Sequence, residues 1–417
     1  MEGAQALPQP LIDQFLIYAP PYWYLKRCWA WEERFYKHYQ RIQENPPSLP
    51  WNPHLEGLPL NEGQKEAIHK AASLPLTLIT GGPGTGKTYT AACLIKKYLE
   101  EVGGEVAVAA PTGKAAAALR EALPIKTETL HALLHVGQRR GIRELGADLV
   151  LVDEGSMVDA ELMGLLFASL KQGARLVILG DPFQLPPVGS GHLFSDIGKN
   201  KKIIAELIQC MRAERAEILI LSERVKRGEA IVYEKLPSPQ EIAEEIAGEI
   251  PWERELSERY LFQKRFLTPL RQGPYGVVAL NQLIYEKQSR RAKRAALSEY
   301  AIPIMITGNS SKHGLFNGDV GYFVGERGYF SHNREIALER IPPYEYAYVL
   351  SVHKSQGSEY ESVRVLLPQG SENFGRELLY TAITRAKKEV RVAAEEGMVE
   401  KLLSSCKERL SRFSASE

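Results

Sequence analysis

Short, unbroken apolar runs alternate with longer amphipathic stretches along most of the chain. Leu76-Thr77-Leu78-Ile79-Thr80, Val106-Ala107-Val108-Ala109-Ala110, Leu149-Val150-Leu151-Val152 and Leu176-Val177-Ile178-Leu179 are too short for helices. They read as strands buried on both faces, the pattern of a parallel sheet. The stretch opening at Ala91-Ala92-Cys93-Leu94-Ile95 suits a crossover helix. Strand, helix and strand in alternation predict an α/β sheet whose ligands bind at the carboxyl ends of the strands. Residues 200–262 read as helical and irregular, and seven glutamates between Glu241 and Glu258 suggest a solvated helix and linker. The α/β pattern then returns in Arg265-Phe266-Leu267, Val349-Leu350, Val363 to Leu367 and Val390-Arg391-Val392, with a helix over Glu377 to Ala386. The turn Asn317-Gly318-Asp319 introduces a β-rich stretch over 318–343.

Three segments follow: 1–50, a first lobe over 51–263 and a second over 264–417. The first 50 residues are crowded with aromatics, among them Tyr22, Trp23, Tyr24, Trp29, Trp31, Phe35 and Tyr36. So short a segment cannot bury that surface alone, so it either packs on the first lobe or docks a partner. The 417 residues exceed one core, and 52 basic residues against 51 acidic ones give no bulk argument for nucleic acid. Four scattered cysteines without metal spacing suggest reduced thiols in the cytoplasm. No basic region followed by an apolar stretch opens the chain, and no run approaches a membrane span.

The chemistry centres on Gly81-Gly82-Pro83-Gly84-Thr85-Gly86-Lys87-Thr88. Glycines let backbone N–H groups curl around a polyphosphate, Lys87 reaches its outer phosphates, and the Thr88 hydroxyl suits Mg²⁺. The helix that starts here adds its positive end. This is a nucleoside triphosphate site. Gln64, on a helix capped by Asn61, offers the donor and acceptor an adenine edge requires. Asp153-Glu154 closes an apolar strand, with one carboxylate for Mg²⁺ and one to polarise water. Gln184 follows the next strand and would sit beside the γ-phosphate. Thr112, Lys114, Thr129 and His131 stand at other strand ends, where they suit sugar-phosphate contacts or serve as caps.

Taken in order, seven strings resemble superfamily 1 helicases, and most closely the RecD branch, the α subunit of exodeoxyribonuclease V. They are Gly81 to Thr88, Pro111 to Ala116, Val152 to Met157, Gly180 to Gln184, Leu315 to Asp319, Ser351 to Glu359 and Tyr380 to Ala386. The resemblance covers roughly 58–395. It implies two RecA-like P-loop NTPase lobes, the second with a short SH3-like insertion, ATP in the cleft, and 5′-to-3′ movement on single-stranded DNA. Carried over by position, Gln64 reads adenine, Gly82 through Tyr89 hold the nucleotide, and Glu359 holds the ribose. Thr88 and Asp153 take Mg²⁺, and Glu154 handles the water. Gln184, Arg212 and Arg385 complete catalysis, and Thr112, Lys114, Thr129, His131 and His353 face DNA. Leu378, Leu379, Ala382 and Ile383 are placed to pack the last helix, leaving Arg385 to project out of the core.

The chain also departs from the pattern. Gly155 replaces an alanine and Met211 an aromatic, and 136–147 is short where relatives carry a longer hairpin. No nuclease-like carboxylate cluster is visible, so cutting DNA would fall to another chain; the resemblance implies RecB-like and RecC-like chains as the partners. An RNA helicase and a motor-inactive DNA-binding subunit are the rival readings.

Overall fold

Each apolar run named above becomes a strand in the computed structural model, which describes residues 9–19, 22–123, 125–137, 141–209, 216–330 and 334–405. The chain divides into two units. The first takes the described residues up to Pro182 and resumes at Pro186; the second takes Phe183–Leu185 and the described residues from Ala216 onward.

The first unit is built on six strands: β1 (Leu76–Gly81), β2 (Val106–Ala110), β3 (Thr127–Thr129), β4 (Leu149–Val152), β5 (Arg175–Gly180) and β6 (Ile204–Leu207). They lie in the order β3-β2-β4-β5-β1-β6, every pair parallel. Side chains alternate between two cores. Leu76, Leu78, Val150, Val152, Leu176 and Ile178 fill one face, and Ile79, Leu149, Leu151, Val177 and Leu179 the other. Helices α1 (Lys26–Glu44) and α6 (Ala160–Ser169) cover the first face. Helices α2 (Glu62–Ser73), α3 (Lys87–Glu101) and α4 (Gly113–Ala122) cover the second, and the short α5 (Leu130–Leu133) follows β3.

Of the two alternatives for the aromatic opening segment, packing on the first lobe holds for α1. Phe35 is buried, with its ring edge-on to Phe167 of α6 at 4.8 Å. Ahead of it, Leu16–Ala19 and Tyr22–Leu25 pair as an antiparallel hairpin. No hairpin forms among the described residues of 136–147, where Leu145 makes one bridge to Leu170.

The second unit opens with α7 (Ala216–Arg227), β7 (Glu234–Lys235), α8 (Pro239–Glu249) and α9 (Arg254–Gln263). This corrects the boundary expected at 263. It also corrects the solvated linker, because α8 buries Ile242, Ala243, Ile246 and Ala247 in the core beside Leu280 and Ile284 of α10 (Val277–Arg294). The glutamates sit on the helices' other side. Glu245 and Glu249 pair with Lys264, and Glu245 and Glu234 with Arg364. The main sheet comprises β8 (Lys264–Thr268), β14 (Val349–Ser351), β15 (Tyr360–Leu367), β16 (Ala386–Ala394) and β7. Its order is β14-β8-β15-β16-β7, all parallel. Helices α11 (Arg376–Ile383) and α12 (Met398–Ser404) pack on it.

The β-rich insertion is larger than 318–343. Five antiparallel strands, β9 (Ile302–Ile306), β10 (Val320–Val324), β11 (Arg327–Phe330), β12 (Arg334–Ala337) and β13 (Tyr344–Tyr346), run in the order β12-β11-β10-β9-β13. Its limits are set by a distant pairing of Ile304 with Tyr346.

Candidate functional site

The phosphate loop leaves the buried strand β1 and enters α3 through Gly86, whose backbone is left-handed at φ 84°. A side chain there would be strained. Thr85 Oγ1 donates to the Gly82 carbonyl at 2.8 Å, which closes the loop on itself. Lys87 does not face solvent freely. Its Nζ donates to the Gly81 carbonyl at 2.6 Å and the Gly82 carbonyl at 3.0 Å. Thr88 and Tyr89 are exposed on the first turn of α3. Gly82, Pro83 and Gly84 are half-buried around the loop.

Gln64 is fully buried. Its Oε1 accepts the Asn61 N–H at 3.1 Å and its Nε2 lies 3.5 Å from the Thr85 carbonyl. The amide expected to read adenine is therefore engaged by the capping box of α2 and by the phosphate loop.

Asp153 follows β4, one strand removed from β1 in the sheet. Its Oδ1 accepts the Glu154 N–H at 2.8 Å. Glu154 is left-handed at φ 53°, a conformation an L side chain holds only when its surroundings impose it. Burial, then the negative charge of Glu154, push the Asp153 carboxyl up to about 7, opposed by the Glu154 N–H and the Lys87 ammonium. Some of its surface remains open to water, yet protein encloses it enough for burial to dominate. The phosphate-loop lysine and the strand-end carboxylates thus share one electrostatic site. Gly155 leaves no room for the alanine usual there, since a Cβ would meet Ile178 Cγ2 at 2.3 Å.

Two hard oxygen donors, the Thr88 hydroxyl and the Asp153 carboxylate, suit Mg²⁺ at this edge; burial chiefly raises Asp153, and a cation would relieve the smaller part that the Glu154 charge adds. No group of three or more His, Cys, Asp or Glu side chains forms a cage among the described residues.

At the other strand ends, Thr112 and Thr129 are N-caps, accepting the Ala115 and Ala132 N–H groups at 3.2 Å each. They stand at the carboxyl ends of β2 and β3, on the same sheet edge as the phosphate loop. Lys114 and His131 are exposed just beyond them.

In the second unit, Glu359 and Arg385 precede the adjacent parallel strands β15 and β16, where the Tyr360 N–H donates to the Arg385 carbonyl. Glu359 pairs with Lys387 at 3.8 Å. Contrary to expectation, Arg385 is buried, 4% exposed. Its Nε donates to the Thr381 carbonyl at 3.1 Å, and its terminal nitrogens to the Ser358 carbonyl and Thr384 Oγ1, each at 3.3 Å. The helix ends at Ile383, so the arginine folds back over its last turn. Gln184 is also buried, within the Phe183–Leu185 segment of this unit. His353 follows β14, at the opposite edge of the sheet from Arg385, with its ring 5.8 Å from that of Phe374. Arg212 lies outside the described residues.

Two family models match the chain, an AAA domain over residues 59–243 and a UvrD-like helicase C-terminal domain over 346–393. The RecD subunit of the RecBCD enzyme from Mycobacterium tuberculosis is 31% identical, over 90% of this chain and 76% of the relative. The chain belongs to the RecD family of superfamily 1 helicases. RecD of Haemophilus influenzae is 29% identical over 80% of this chain and 69% of its own length. The ATP-dependent RecD2 DNA helicase of Deinococcus radiodurans is 32% identical over 79% of this chain, which spans 48% of that relative. Among solved structures, the Pif1 helicase from Candida albicans shares the fold, with a TM-score of 0.53 at 16% identity over 83% of this chain and 97% of that one.

Several contacts within the second unit were not legible beforehand. Lys354, beside His353, donates to Asn317 Oδ1 in the turn before β10, and burial lowers its pKa. Gln356 and Thr381 hold the backbone of Leu185. All three lie inside strings already singled out, yet only contacts distant in sequence separate them from their neighbours.

Proposed function

We propose that this protein is an ATP-dependent DNA helicase that translocates 5′-to-3′ on single-stranded DNA. We place it in the cytoplasm, in recombinational double-strand-break repair, beside RecB-like and RecC-like chains. No helix among the described residues is long and apolar enough to cross a membrane. The observation that carries the reading is the single electrostatic site formed by Lys87 and the Asp153-Glu154 pair, within a chain of the RecD family.

The loop amides and the amino end of α3 bind the phosphates. Lys87 exchanges the Gly81 and Gly82 carbonyls for phosphate oxygens. Thr88 and Asp153 hold Mg²⁺, which when bound neutralises charge on the phosphate oxygens. Glu154 orients and polarises the attacking water, and Gln184 lies by the γ-phosphate. Arg212 and Arg385 meet the charge that develops in the transition state. Arg385 must first leave the Thr381 and Ser358 carbonyls, so part of the substrate's binding energy goes into freeing it. Gln64, Tyr89 and Glu359 border the base and ribose, and Thr112, Lys114, Thr129, His131 and His353 contact DNA.

The test measures ATP hydrolysis with saturating single-stranded DNA or RNA, and release of streptavidin from either end of a biotinylated strand. DNA should stimulate hydrolysis more strongly than RNA, Lys87→Ala should abolish it, and streptavidin should leave the 3′ end. Stimulation by RNA alone, or release only from the 5′ end, would overturn the proposal.

A further inference from the structure

The chain leaves β5 of the first unit and, at Phe183–Leu185, enters the core of the second. Leu185 is 3% exposed and belongs to the same buried core as Val352, Leu378, Leu379 and Ile383. Its backbone is held on both sides. The N–H donates to Thr381 Oγ1 at 2.7 Å, and the carbonyl accepts from Gln356 Nε2 at 3.4 Å. Gln184 is the preceding residue.

Thr381 does two jobs from a fully buried position in α11. Its hydroxyl holds the Gln184 segment, and its carbonyl accepts the Arg385 Nε–H at 3.1 Å and the Thr384 hydroxyl at 2.9 Å. A β-branched residue is not favoured inside a helix, and for packing alone valine would fill the same volume. The hydroxyl is the part packing does not explain, and the short bond from Leu185 uses it.

We propose that Thr381 is a positioning residue for ATP hydrolysis, setting the Gln184 segment and the Arg385 guanidinium from one buried side chain and its own backbone. This rests on the hydrolysis reading above. Removing the hydroxyl strands the buried Leu185 N–H, so the segment shifts while the phosphate loop stays intact. The effect therefore falls on turnover and spares nucleotide binding.

The experiment compares Thr381→Val, Thr381→Ser and Thr381→Ala in the full chain, by steady-state ATP hydrolysis with saturating single-stranded DNA. Valine keeps the γ-methyl and loses the hydroxyl; serine does the reverse. Thr381→Val should lower kcat about tenfold or more with KM for ATP within about threefold, and Thr381→Ser should stay within about threefold of the parent in both. The reverse order, serine impaired and valine normal, means packing and overturns the proposal, as does a change confined to KM. Should the valine variant fail to fold, the serine and alanine variants differ by the same hydroxyl, and equal kcat values for those two overturn it. A parent without DNA-stimulated hydrolysis would instead sink the helicase reading itself. A parent that is active, silenced by Lys87→Ala and matched by Thr381→Val, sinks only the role of Thr381.

Discussion

Replacing Asp153 by asparagine should stabilise the protein above neutral pH in the absence of Mg²⁺ and nucleotide. The carboxyl is raised from 3.8 to about 7 by burial and by Glu154. Its folded pKa lies above its unfolded one, so its stabilising contribution is complete below about pH 4. That contribution is lost as pH rises through about 7. A shift of about 3 units at 1.36 kcal/mol each gives about 4 kcal/mol at pH 8. Asp153 as a whole is only half-buried, and discounting for screening brings the figure to about 2 kcal/mol. Asparagine retains the oxygen that accepts the Glu154 N–H, so the local turn is kept. In a domain of this size 1 kcal/mol moves Tm by about 2–4 °C. Asp153→Asn should therefore melt about 4–8 °C above the parent at pH 8, with less than half that gap at pH 5. Circular dichroism melts in low salt with EDTA measure both. A gap independent of pH, or a parent more stable than the variant at pH 8, would refute the electrostatic account. The same variant should lose Mg²⁺-dependent ATP hydrolysis.

Arg385→Ala should lower kcat for ATP roughly 10³–10⁵-fold, with Arg385→Lys restoring little because an ammonium lacks the planar fork. A kcat within about tenfold of the parent for the alanine variant would count against the role. Because the Ser358 carbonyl and Thr384 Oγ1 lose the Arg385 donor and the Thr381 carbonyl loses one of its two, the alanine variant should also be destabilised by about 1–3 kcal/mol, read as a lower urea midpoint. Phe35→Ala should cost about 3–5 kcal/mol in the first unit; a loss under about 1 kcal/mol would mean that α1 is not seated on Phe167.

The phosphate loop, the Asp153-Glu154 pair and the strands that carry them were legible in the sequence because their signals are local. A buried parallel strand is a contiguous apolar run, and a glycine loop that cradles phosphate is a contiguous string. The N-caps Thr112 and Thr129 are local too, which is why the sequence could hold both of their readings open. What the tertiary structure decided depends on residues far apart. The glutamate-rich stretch 241–258 looked solvated because charge is read residue by residue, whereas Ile242, Ala243, Ile246 and Ala247 gain a core only from α10. The insertion ends where Ile304 meets Tyr346, a pairing no local pattern announces. Arg385 ends an amphipathic helix and was expected outside the core, but the helix stops at Ile383 and the side chain folds back to carbonyls at Thr381 and Ser358. Gln184 follows a strand of the first unit yet sits in the second, because the hydroxyl that fixes Leu185 comes from Thr381, 196 residues on. A hydrogen bond between two buried groups has no counterpart in composition or period, so only the folded chain could reveal that one threonine holds both Arg385 and the residue next to Gln184.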